Sequence, residues 1–214
     1  MKIAIITGSI QDPSNTAGVA AWVTKCIQNH TAPKDGRTMI DTDFDLQQIH
    51  LSRSEGHPLP LEIDNMIPQG HPRDHGSENL AMSYQKEQVQ SWSRFISSTD
   101  AVIIVSPQYN WSIPAPLKNA IDHLYHEWTD KPVALVTLGG HGGTKACEAL
   151  RTVLAGGLHA RLLDTDVNIK LPRAYITGPD RLKGNEPLLD VYQDTFEQIF
   201  DDLIKATEVA ADSS

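Results

Sequence analysis

Two hydrophobic periods alternate along the chain. Residues 2–6, built around Ile3, Ile5 and Ile6, form a short apolar, β-branched run that reads as a buried parallel strand. Residues 16–29 then carry Ala17, Val19, Ala20, Val23 and Ile27 at helical spacing. Residues 42–51 alternate in part, as a half-exposed edge strand does. A helical pattern returns over residues 80–98. The run from Ala101 to Val105 is the clearest strand in the chain, and Pro114 suits the first turn of a helix running to about residue 126. Val133 to Leu138 is another buried strand. It precedes a helix over residues 143–155 that stops at Gly156-Gly157, then a short fifth strand over residues 161–167. Residues 187–209 read as a last amphipathic helix with Val191, Phe196, Ile199, Phe200 and Leu203 as its apolar stripe, and Asp212-Ser213-Ser214 as a frayed end.

Five strand–helix units predict an α/β fold, a parallel sheet with helices on both faces. No internal repeat or low-complexity tract divides residues 1–214, so one domain is expected. Residues 52–79 break the pattern: four prolines, three histidines and three glycines with little periodicity predict a long loop. Loops of that length inside a domain are usually functional, so it is expected to border the ligand pocket or a subunit interface.

Composition narrows the function. With 40% apolar and 21% charged residues the chain fits an ordinary globular protein. A net charge of −9 without any basic cluster disfavours nucleic acid and anionic membranes. Cys26 and Cys147 sit in helical segments without Cys-x-x-Cys spacing, which predicts reduced, buried thiols rather than a disulfide framework or zinc site. The first apolar run is too short for a secretory leader, and no stretch approaches a membrane span. A cytoplasmic protein is therefore expected.

Chemistry is expected where loops follow strands at the carboxyl edge of the sheet. The first such loop, Gly8-Ser9-Ile10-Gln11-Asp12-Pro13-Ser14-Asn15-Thr16, leads into a helix start whose free N–H groups suit a phosphate, with Ser9, Ser14, Asn15 and Thr16 as added donors. A capped helix start accounts for the same residues. It has neither the Walker lysine nor Rossmann glycine spacing. The second loop runs through Pro107, Gln108, Tyr109, Asn110 and Trp111, where the two aromatics suit the wall of a flat ligand and Asn110 its polar edge. Turn chemistry with aromatic packing fits these residues equally. The third, Thr137-Leu138-Gly139-Gly140-His141-Gly142-Gly143, allows close backbone approach, though loop flexibility alone would also explain it. Together a phosphate site, an aromatic and amide slot and a glycine loop suggest a mononucleotide with a flat ring, and FMN fits.

At these residues the chain resembles the NADPH-dependent FMN reductase family of flavodoxin-like proteins, over about residues 3–170. The strongest match is Pro107-Gln108-Tyr109-Asn110 through Leu117-Lys118-Asn119-Ala120-Ile121-Asp122, with Glu127-Trp128, Lys131-Pro132 and the Gly139–Gly143 loop following in order. The resemblance implies a flavodoxin-like three-layer sandwich with a five-stranded sheet of order 2-1-3-4-5. It also implies that the first loop takes the FMN phosphate, that Pro107 to Asn110 flank the isoalloxazine, that the glycine loop covers another part of the flavin, and that the assembly is a homodimer or homotetramer. Two positions depart from the family. Gln11 stands where an arginine is usual, and Gln108 where a glutamate is usual. Charge-assisted bonds contribute roughly 1.5–3 kcal/mol against about 1 for neutral ones. Gln11 therefore predicts FMN affinity lower by about one to two orders of magnitude unless another contact compensates.

The implied activity is ping-pong transfer of electrons from NADPH or NADH through FMN to a small acceptor: a quinone, free flavin, an azo compound or a metal ion. The flavin carries the chemistry, so no catalytic side chain is assigned. His141 suits either the flavin or an exposed loop. His71 and His75 have helical metal-ligand spacing, but Pro72 and Gly76 argue against a helix, and no metal site is expected. His123 and His126 suit a surface or subunit contact, and no Gly-x-Ser-x-Gly elbow points to a hydrolase. Two other readings stand beside the reductase: a flavodoxin-type electron carrier, and a flavin-poor binding or regulatory protein.

Overall fold

In the computed structural model, residues 1–32, 43–51, 59–72 and 76–211 are described. Alternate side chains of a strand point to opposite faces, and here both faces are covered, which is why the central strands are apolar throughout. From Lys2–Thr7 (β1), Ile3 and Ile5 enter one core with Trp22 and Val23 of helix Asn15–Thr31 (α1), while Ala4 and Ile6 enter the other. Ala101–Pro107 (β3) divides likewise, Ile103 and Val105 to the first core, Val102 and Ile104 to the second. Pro132–Gly139 (β4) follows suit, with Val136 and Leu138 against Val133 and Leu135.

The sheet is parallel. Its path runs from edge strand Asp45–His50 (β2) through β1, β3 and β4 to Arg161–Leu162 (β5), the expected order 2-1-3-4-5. The half-exposed edge is where it was expected, although residue 42, included in that expectation, lies outside the described residues. The fifth strand differs. Instead of one strand over residues 161–167 there are two pieces, β5 against Pro132 and Val133, and Val167–Lys170 (β6) against Val136 to Gly139. Arg151 explains the gap. Its Nη2 donates to Leu163 O at 2.6 Å and Asp164 O at 3.0 Å, and Nε meets Asp166 Oδ2 at 2.8 Å. The carbonyls of Leu163 and Asp164 are thus bonded to a side chain instead of a ladder, although Leu163 N still donates to Val133 O at 3.2 Å.

The helix expected over residues 80–98 is two: Gly76–Ser83 (α2) and Glu87–Ser97 (α3). The chain pivots at Tyr84–Lys86, where Asp64 Oδ2 accepts from Gln85 N at 2.7 Å and Tyr84 is buried. Ala115–Asp122 (α4) takes Pro114 as its N-cap instead of a first-turn residue, and it ends at Asp122, short of 126. Thr144–Arg151 (α5) passes into a wider turn at Thr152–Gly157. A short helix, Arg173–Ile176 (α6), had no sequence signal. The last element begins as a 3-10 turn at Pro187–Tyr192 before Gln193–Ala211 (α7). Phe196, Ile199, Phe200 and Leu203 are buried as expected, but Val191, on that turn, is 77% exposed and leaves the stripe. The expected fraying at Asp212–Ser214 lies outside the described residues.

Both thiols are free and buried. Burial pushes Cys26 up to about 11; burial, helped by the bond from Sγ to Asp166 at 3.1 Å, pushes Cys147 up to about 12. Among the described residues no helix is long and apolar enough to cross a membrane.

Candidate functional site

Strands β1, β3 and β4 are neighbours, so the loops that leave them meet at one edge of the sheet. They enclose a cleft of about 480 Å³, within the ordinary range for small-molecule sites.

The first loop begins at a glycine packed closely against two side chains. A Cβ on Gly8 would lie 2.9 Å from Leu117 Cδ2 and 3.0 Å from Ser106 Oγ, and Gly8 N donates to Val105 O at 2.8 Å. Ser9 Oγ accepts from Gln11 N at 3.1 Å and lies 3.1 Å from Tyr109 Oη, tying the first loop to the second. Ser14 is the N-cap of α1 and accepts from Ala17 N at 3.1 Å. Asn15 uses both ends of its amide on a distant stretch: Nδ2 donates to Tyr175 O at 2.6 Å, and Oδ1 accepts from Leu182 N at 2.9 Å.

In the second loop Tyr109 and Ser112 exchange backbone bonds of 2.9 Å each around Asn110 (φ 47°) and Trp111 (φ 66°). Both central residues are left-handed, which bulky side chains rarely tolerate; such strain persists where the surroundings enforce it. Gln108 Oε1 accepts from Lys145 N at 3.0 Å and so serves the start of α5, whose own N-cap is Gly143. A glutamate carboxylate at this position could accept that bond as well, which gives the departure at Gln108 a structural account.

In the third loop Gly139 O accepts from Gly142 N at 3.0 Å and Leu171 N at 2.9 Å, closing a tight turn onto the chain after β6. Gly143 has φ 75° and no room for a Cβ, which would stand 2.7 Å from Leu138 N. Thr137 is buried under the turn, its Oγ1 3.0 Å from Gly142 O and 2.8 Å from Asn168 Oδ1.

Ser9, Gln11, Ser14, Asn15 and Thr16, then Pro107, Gln108, Tyr109 and Asn110, then Gly139 and Gly140 line the cleft together. Trp111, Thr137, His141 and Gly142 do not: Trp111 turns to solvent at 70% exposure, His141 is exposed, and Thr137 and Gly142 lie in the body of the glycine turn. The sequence reading missed one wall, formed by Leu171, Tyr175, Ile176 and Arg181. Topology held the signal. A parallel strand after β4 must also emerge at this edge, so the residues that follow it pass over the same loops.

The long loop behaves differently from the three around the cleft. The loop expected to run to residue 79 ends earlier, since residues 76–79 already belong to α2; its described irregular part, residues 59–72, packs on α4 and the chain after it and supplies no cleft residue. Pro60 O lies 2.7 Å from His123 Nε2, and His126 Nε2 sits 2.9 Å from His71 O. His123 is fully buried, so these histidines fasten the loop instead of forming the expected surface. His71 is itself buried with its ring centroid 4.3 Å from that of Tyr84, and its pKa is lowered chiefly by burial; His75 lies outside the described residues. Among the described residues no group of three or more metal-ligating side chains assembles.

The sequence pattern of the NADPH-dependent FMN reductase family matches residues 1–171. An NAD(P)H-dependent FMN reductase of Saccharomyces cerevisiae is 36% identical over 207 residues, 97% of this chain and 98% of its own. One of Schizosaccharomyces pombe is 32% identical over 173 residues, 80% of this chain and 74% of its own. Among solved structures, a flavoenzyme NAD(P)H:(acceptor) oxidoreductase of Paracoccus denitrificans superposes with a TM-score of 0.66 at 20% identity, covering 96% of this chain and 98% of that one, which is a likeness of fold.

Proposed function

The chain belongs to the NADPH-dependent FMN reductase family, and from that premise we propose an FMN-dependent oxidoreductase that passes electrons from NADPH or NADH to a small acceptor such as a quinone, free flavin, an azo compound or a metal ion. One observation carries the reading. The cleft joins a hydroxyl- and amide-rich loop to an aromatic and glycine-walled slot at a single sheet edge. The donor set fits FMN: Ser9, Gln11 and Thr16 beside the start of α1 suit a phosphate, and Tyr109, Asn110, Gly139 and Gly140 suit a flat ring with polar edges. A Cβ on Gly140 would meet only Ile176 Cδ1, at 3.1 Å, so this wall stays low without crowding the backbone.

When bound, FMN supplies the two-electron carrier between donor and acceptor. The protein's part is to hold the ring between the second and third loops, offer backbone N–H groups to its polar edge, and leave one face open for donor and acceptor in turn, a ping-pong scheme. No carboxylate or histidine lines the cleft among the described residues, and this division of labour requires none. Residues 1–214 act as one domain in this reading, in the cytoplasm and as a homodimer or homotetramer. Exposed Leu61, Ile63, Met66 and Ile67 on the described part of the long loop support the assembly.

Rapid mixing of the flavin-loaded protein with NADPH and with NADH tests the proposal. Loss of the oxidised-flavin absorbance with at least one nucleotide, regained on adding a quinone, is the expected result. A spectrum unchanged by both nucleotides would reject the reductase and favour the electron carrier.

A further inference from the structure

The cleft has one charged side chain among the described residues, Arg181, and it belongs to none of the three loops. Its place is fixed by neighbours on both sides. Leu182 N is bonded to Asn15 Oδ1, in the first turn of α1. Leu182 O lies where a Cβ on Gly18 would come within 2.1 Å, so the segment rests on the helix at its only side-chain-free position. Arg181 is therefore anchored next to the start of α1, and it lines the same cleft as Ser9, Gln11, Ser14 and Thr16. Its Nη1 donates to Gly178 O at 2.9 Å and Asp180 O at 2.6 Å. These bonds steady the guanidinium and leave Nη2 and Nε without a partner among the described residues. No carboxylate pairs with it among those residues, although acidic side chains outnumber basic ones 27 to 18.

An unpaired guanidinium beside hydroxyl and amide donors is the chemistry that binds a phosphate dianion, through fork-shaped N–H···O contacts. We propose that Arg181 supplies the cation for the FMN phosphate, acting from the chain's C-terminal segment in a cleft where Gln11 of the first loop is neutral. The inference rests on the flavin reading above. It implies that flavin binding also orders or secures residues 175–182, since the same segment carries the cation and the Asn15 clamp.

The test compares FMN with riboflavin, which has the ring without the phosphate. Flavin-free protein is titrated with each, following flavin fluorescence, for the wild type and Arg181→Gln. The expected result is a loss of FMN affinity of about 3- to 30-fold, the difference between a charge-assisted and a neutral contact, with riboflavin affinity within about twofold of wild type. Equal losses for both ligands, or an unchanged FMN affinity, would overturn the assignment. A second measurement needs no variant. If a local cation holds the phosphate, wild-type FMN affinity falls with added salt while riboflavin affinity does not. FMN affinity that stays flat or rises overturns it, because screening would then act only on the protein's net negative charge. A wild-type protein that binds riboflavin and FMN equally well overturns Arg181 alone, whereas one that binds neither overturns the flavin reading itself.

Discussion

Replacing Gly18 with alanine should lower both stability and FMN affinity, the reverse of what the substitution does in an open helix. Alanine is favoured over glycine inside a helix by about 1 kcal/mol. Here the added Cβ would stand 2.1 Å from Leu182 O, 2.3 Å from its carbonyl carbon and 2.8 Å from its Cβ. Two of those atoms are backbone, and the segment cannot slide freely. Asn15 Oδ1 holds Leu182 N, and a Cβ on Gly184 (φ 91°) would meet Gly18 O at 2.8 Å and Trp22 N at 2.9 Å. Helix and segment must part. Overpacking of this kind costs roughly 1–3 kcal/mol, and for a chain of this size each kcal/mol lowers Tm by about 2–4 °C. Arg181 moves with the segment, so FMN affinity falls too. Thermal unfolding and an FMN titration of Gly18→Ala check both parts. A variant as stable as wild type with the same affinity would show that the contact yields easily and that the segment's position does not matter.

The second large effect lies beneath α4. Glu127 is buried, and its carboxylate accepts from Ser93 Oγ at 2.5 Å, Tyr84 Oη at 3.1 Å and Tyr125 N at 3.3 Å. It thereby joins the pivot between α2 and α3 to the turn that ends α4, the helix on which the second loop stands. The Tyr84 hydroxyl is held protonated, chiefly by burial and then by the Glu127 charge. Glu127→Ala strands two buried hydroxyls and opens a void beside Ser93 and Tyr84. Each unsatisfied group costs about 1–3 kcal/mol, so a total loss on the order of 3–5 kcal/mol is expected. Glu127→Gln keeps the shape and one acceptor and should lose about half as much. Urea unfolding of the two variants measures this; a loss below about 1 kcal/mol for the alanine variant would mean that water enters and replaces the carboxylate.

Parts of this architecture could be read from the sequence for a simple reason. A strand covered on both faces is apolar at every position, so β1, β3 and β4 stand out, and the loops after them locate the cleft. The first loop's small polar residues and the glycines after β4 were visible on the same grounds. What could not be read depends on partners far along the chain. Helical periodicity continues across Tyr84, so nothing local marks the pivot that Asp64 secures. The break in the fifth strand depends on Arg151 bonding carbonyls that any residue would present. The wall containing Arg181 is held to Asn15 through main-chain atoms more than 150 positions away, and main-chain atoms leave no residue pattern. His123 and His126 look like surface residues in a polar stretch because the loop that buries them lies about sixty positions earlier.

The left-handed turn at Asn110-Trp111 has an optical consequence. Of the four indoles, Trp22, Trp92 and Trp128 are at most 4% exposed, whereas Trp111 is held out at 70% beside the cleft mouth. The native emission spectrum is therefore the sum of three shielded emitters and one hydrated emitter. A collisional quencher such as acrylamide should extinguish the red-shifted quarter first, so Trp111 reports what arrives at the mouth while the other three report whether the fold around it is intact.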